Sequence, residues 1–160
     1  MNYEITMSTS MVALEAAVRE STSKILSIAR TTLVQQGTHI PTAILHTLEG
    51  LFPIVLPFEN NEQKRALVDY VKTQAIERHA FAVTTVTCAR VMDSRTGEED
   101  EEALVLATSV QAGKPHVVTQ RYWREEDRSV VRFGEVVEGD EAALPGQMMI
   151  FPDWNEETRH

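Results

Sequence analysis

FAVTTVTCARVM at Phe81–Met92, ALVLATSV at Ala103–Val110, HVVTQRYWR at His116–Arg124 and SVVRFGEVV at Ser129–Val137 are four segments rich in Val, Thr, Ala and aromatic residues, separated by charged, turn-like breaks. β-Branched residues at alternating positions between such breaks predict an antiparallel meander. The first of these strands, taken from Ala80 to Met92, sets Phe81, Val83, Thr85 and Thr87 on one face and Ala82, Val86, Cys88 and Met92 on the other. Both faces are apolar enough to be covered, which predicts a central position. Ala103–Val110 is almost wholly apolar and reads as another interior strand. Ala112-Gly113-Lys114 and Glu125-Glu126-Asp127 supply the turns between the later strands.

Upstream of the meander, Met11, Leu14, Val18, Ile25, Ala29 and Leu33 recur at helical intervals, which predicts one long amphipathic helix from Ser10 to about Gln36. It is expected to bend near Ser21–Ser23 and to stop at Gly37. His39–Thr47 and Phe52–Phe58 read as strands around Glu49-Gly50. Their prolines, Pro41, Pro53 and Pro57, confine them to an edge hairpin because each lacks a ladder donor. Asn60 followed by Gln63 forms a capping-box pattern, and Leu67, Tyr70, Val71 and Ala75 make one face of a second helix ending near Arg78. The expected fold is α+β: an antiparallel sheet of about five to seven strands, in the order α-β-β-α-β-β-β-β, with two helices packed on one face. Residues 1–137 are expected to form a single domain, and residues 138–160 a C-terminal extension that docks on it or on a partner.

The chain has 160 residues, 42% hydrophobic and 24% charged, an ordinary globular composition with room for one core. Its formal charge of -9 opposes a phosphate backbone, so nucleic acid is not an expected partner. Cys88 is the only cysteine, and no intramolecular disulfide can form. The acid-bearing start, and Glu15, Arg19, Glu20 and Lys24 within the first apolar stretch, fit neither a signal peptide nor a membrane span. A cytoplasmic location is the expectation.

No cluster has the spacing of a known chemistry. The acidic run Glu98–Glu102 after Asp93 lacks EF-hand spacing, with Arg95 and Gly97 where ligands belong, and reads as a solvated loop. His39, His46, His79 and His116 form no zinc signature, so neither metal nor cofactor is expected. Gly113-Lys114 fails as a phosphate loop, with Thr108 and Pro115 at the diagnostic positions, and no Gly-x-Ser-x-Gly elbow is present. Cys88, on a central strand, reads as a small buried hydrophobe rather than a nucleophile.

Two stretches stand out as contact surfaces. Arg121, Tyr122, Trp123 and Arg124 bring arginine beside large aromatics, the composition of binding hot spots. Met148, Ile150, Phe151 and Trp154 crowd the C-terminal tail with large apolar groups that must dock somewhere, either on the sheet as a last strand or on a partner.

Gly37–His46 (GTHIPTAILH), then Lys64, the Val83–Met92 strand and Glu102–Leu106 (EALVL) follow an order that resembles a scattered group of small uncharacterised proteins of bacteria and their phages. The group tends to have an acid and a Trp where Cys88-Ala89-Arg90 stands here. The resemblance implies an α+β fold and no established activity. The expected function is a non-enzymatic protein-binding or assembly module, acting on a protein partner or on itself as a homodimer. The alternative is a small enzyme with a cleft lined by His39, His46, Cys88 or His116.

Overall fold

The computed structural model of the chain describes residues 3–92, 99–111, 113–139, 149–152 and 154. Its elements are α1 (Tyr3–Gln36), β1 (Thr42–Thr47), β2 (Gly50–Val55), α2 (Asn61–Glu77), β3 (Ala82–Met92), β4 (Glu99–Val110), β5 (His116–Arg124) and β6 (Val130–Gly139). The order is the expected α-β-β-α-β-β-β-β. The strands form one antiparallel sheet, β2-β1-β3-β4-β5-β6, with β3 and β4 at its centre.

Local signals account for the element ends. Gly37, at φ 77°, takes the left-handed position that stops α1, and its N–H returns to the Leu33 carbonyl at 2.8 Å. α1 runs as one 34-residue helix and begins earlier than expected. At α2 the Asn60 side chain accepts from the Gln63 N–H at 2.8 Å, while the Gln63 side chain accepts from the Glu59 N–H at 2.8 Å. That is the reciprocal cap the sequence spells. α2 closes on His79, a residue at φ 54°, with Ala80 N–H bonded to the Ala75 carbonyl and His79 N–H to that of Ile76.

The two helices do not share a face, which corrects one part of the expected architecture. Ile25, Leu26, Ala29 and Leu33 of α1 pack with Val86, Leu104, Leu106, Val118, Tyr122 and Val130. Val71 and Ala75 of α2 pack with Ala43, Leu45, Val83, Leu56 and Ala80. Val83 and Val86 differ in parity along β3, so the helices cover opposite faces of the sheet. The even face of β1 and β3 lies on the α1 side, the odd face on the α2 side. A central strand that is apolar on both sides carries no mark of which helix belongs to which side.

Two further expectations change. The run Glu99–Glu102 is the start of β4, paired with β3, rather than a loop. Arg90 stands opposite Glu102 in that ladder, and Arg124 Nε lies 2.5 Å from Glu102 Oε2, so cations on the neighbouring strands offset acid on this one. The tail packs on the odd face, but its described residues are not a further strand.

β2 is the edge strand the prolines require. Leu56 N–H bonds to the Pro41 carbonyl, and the register of β1 on β2 pairs Ala43 with Ile54, Leu45 with Phe52 and Thr47 with Gly50 on the same alternation. Pro53, opposite Ile44, therefore falls on the non-hydrogen-bonded phase, its nitrogen directed away from the sheet.

Candidate functional site

The even face carries a buried polar row beneath α1. His46, on β1, is 1% exposed, and its Nε2 lies 2.7 Å from Thr84 Oγ1 on β3; Thr84 Oγ1 in turn lies 2.7 Å from Thr108 Oγ1 on β4. The ladder sets His116 on β5 opposite Thr108. The Nδ1 atoms of His46 and His116 are both buried without a hydrogen-bond partner. An unpaired lone pair in the core costs less than an unpaired N–H, so the neutral His46 carries its proton on Nε2 and donates to Thr84. Thr84 then donates to Thr108. Burial holds the imidazole neutral, with its pKa lowered to about 4.

This row is a structural network with one falsifiable cost. Thr84→Val keeps the shape but strands the His46 N–H, and is expected to lower unfolding free energy by about 1–3 kcal/mol. Thr84→Ser, which keeps the hydroxyl, should recover most of that. Equal urea midpoints for wild type and Thr84→Val would show that the network does not stabilise the fold.

Farther along the even face lies a second cluster, built on the hairpin expected to bind. Tyr122 is 1% exposed and sits in the α1 core, with Phe133 at a centroid distance of 6.4 Å. Its hydroxyl meets the Cys88 thiol and donates to Glu102 Oε1 at 3.3 Å. Burial first, and then the contact with Cys88, raises the phenol pKa. Cys88 itself is exposed, not the buried hydrophobe expected. Even so, partial burial of the thiol raises its pKa and outweighs the opposing bonds from Tyr122 and the His39 backbone, with lesser effects from Glu102 upward and Arg124 downward. The imidazole of His39 does not activate it: Nδ1 of that ring is engaged by the Ile40 carbonyl at 2.8 Å.

The remaining residues singled out from the sequence separate by strand parity. Trp123 lies on the odd face under the Arg132 guanidinium, 4.2 Å from the ring centroid, and a Cβ at Gly134 would meet its ring at 3.1 Å. Arg121 is exposed on the same face. Arg124 is paired with Glu102 and reaches the Arg128 carbonyl at 2.9 Å. In the tail, Ile150 is 1% exposed and its carbonyl accepts from Ser109 Oγ; Trp154 Nε1 donates to the Ala80 carbonyl at 2.9 Å. Phe151 is exposed, and Met148 lies outside the described residues. Thus Tyr122 and Ile150 are inside the fold, and the four arginine and aromatic residues of the hairpin do not form one surface.

The β1–β2 hairpin carries an apolar surface that no spacing motif in the sequence marks. Leu48, at its turn, is 91% exposed; Leu51 and Val55 of β2 and Ile40 before β1 are exposed as well. Leu51 and Val55 stand opposite His46 and Thr42, so they share the α1 side of the sheet, yet the core beneath α1 is built from β3, β4, β5 and β6 with Ile44 of β1, and holds no residue of β2. On α1, Arg30 points to Gln120 on β5, and Ile28, 64% exposed, lies on the opposite flank, toward β1 and β2. The only sequence signal for this was the run of apolar residues on a proline-marked edge.

The clefts are shallow. One of about 550 Å³ lies between the hairpin turn and the end of α2, where Arg78 stacks on the Phe52 ring at 3.7 Å. Another, of about 300 Å³, is lined by Glu15, Arg19, Lys114 and His116. Neither joins two of His39, His46, Cys88 and His116. Among the described residues, no group of three or more His, Cys, Asp or Glu side chains is placed to hold a metal ion, and no helix is long and apolar enough to cross a membrane. No protein-family model matches the chain, and neither a curated protein nor a solved structure is significantly similar to it.

Proposed function

We propose that this chain is a non-enzymatic protein-binding or assembly module of bacterial or phage origin, working in the cytoplasm and associating with a second copy of itself. The observation that carries the reading is the uncovered apolar edge formed by Leu48, Leu51 and Val55, with Ile28 on the adjoining flank of α1. Large apolar groups gathered at one place on a surface mark a contact site, whereas single ones do not. The lone exposed thiol, with its raised pKa, is compatible with a reducing compartment.

Native mass spectrometry and sedimentation velocity on the full chain test this. The expected species is a dimer of the 18.0 kDa chain. A double variant, Leu51→Lys with Val55→Lys, is expected to be a folded monomer, because two desolvated cations oppose burial at the contact. A wild type that is monomeric at 100 μM and carries a retained small molecule or metal would sink the reading and return attention to the histidines.

A further inference from the structure

We propose that His46 is an acid-sensitive latch: protonation of its ring releases the β1–β2 hairpin from β3. The ring lies at the seam between the hairpin and the rest of the sheet, at one end of the ladder that joins β1 to β3. It stands between Leu51 on β2 and Ala82 on β3, with Phe81 at a centroid distance of 6.2 Å, and its one side-chain bond crosses to Thr84 on β3. The neutral ring fits this place because Nε2–H has an acceptor and Nδ1 asks for none.

Protonation makes both nitrogens donors. Among the described residues Nδ1–H then has no acceptor, which leaves a buried donor unpaired on a charged ring. No ionisable residue other than His46 lies on β1 or β2. Glu49 in the turn is exposed, β3 offers Cys88 and Arg90 in its far half, and Glu15, Arg19, Lys114 and His116 surround the cleft on the other side of Val110. Burial is what lowers the pKa of His46, and Glu77, Arg78 and His79 at the end of α2 line the cleft beside the hairpin turn. The charged ring must therefore reach water, and the outer segment is the hairpin: β2 pairs with β1 alone, β1 joins the rest of the sheet through β3, and opening also lifts Ala43 and Leu45 from the α2 core.

The sign follows from proton uptake. An opened hairpin returns the ring to an ordinary pKa of 6.5, against about 4 when closed, so the open form binds more protons and gains as pH falls below 6.5, levelling off below about 4. Between pH 7 and pH 5 this raises the open population about twentyfold.

Hydrogen exchange on the full chain at both pH values, corrected for intrinsic rates, reads this segment by segment. The expected result is about twentyfold loss of protection at pH 5 in residues 42–55, with β4 and β5 unaffected. His46→Gln should abolish that difference and His116→Gln should leave it in place. Equal protection at the two pH values, loss spread evenly over the sheet, or a difference that persists in His46→Gln would each overturn the latch. Should His46→Gln fail to fold, the imidazole resonance of the wild type decides: titration near 6.5 with the hairpin still protected also overturns it.

Discussion

Replacing Tyr122 with Ala is expected to lower the unfolding free energy by about 3–5 kcal/mol, the range for emptying a buried aromatic site. The ring packs in the α1 core with Phe133 against it, and its loss leaves a cavity in a close-packed interior. Its hydroxyl adds to the effect, because Glu102 and Cys88 lose a partner with it. Trp123→Ala, one residue away on the other face, should cost much less, since that ring is only partly buried and rests under an exposed arginine. Urea unfolding of the two variants side by side makes the comparison. A Tyr122→Ala loss below about 1 kcal/mol would mean the residue sits at a surface, as a hot-spot reading of the hairpin requires.

Deleting residues 146 to 160 is expected to destabilise the fold by a similar amount, about 3–5 kcal/mol. Ile150 is fully buried in the α2 core and Trp154 packs beside it, so removal bares Val83, Ala80 and Leu56 to water. Ser109 and the Ala80 carbonyl lose their partners in the same step. Thermal melts of the truncated chain and of Ile150→Ala check this, together with binding of a dye that reports exposed apolar surface. An unchanged melting temperature accompanied by a changed oligomer mass would instead make the tail a contact between chains.

What the sequence made legible follows the range of the interactions involved. The Asn60–Gln63 cap, the stop at Gly37 and the alternation in β3 are decided within a few residues, and all are present as read. The side of the sheet each helix covers depends on the parity of Ile44 against Ala43 and Leu45, where all three residues are apolar; only the packing distinguishes them. Glu99–Glu102 looked like a loop because its compensating cations, Arg90 and Arg124, belong to other strands. His79 in a left-handed conformation had no local signal, since glycine is the residue that advertises it. The polar row from His46 to Thr108 joins residues 38 and 24 positions apart, beyond the reach of any spacing motif.

Pro53 has a consequence for how chains of this protein can meet. A bare edge strand invites another to add to it, and repeated addition is the route to fibres. Here the middle of the outward ladder offers a carbonyl but no donor, and two copies set edge to edge about that residue would face each other with two missing hydrogen bonds. Growth of the sheet from end to end is thereby discouraged, while the flanking Leu51 and Val55 side chains stay available. Any companion at this margin must seat itself against side chains, a closed and finite contact, rather than continue the backbone.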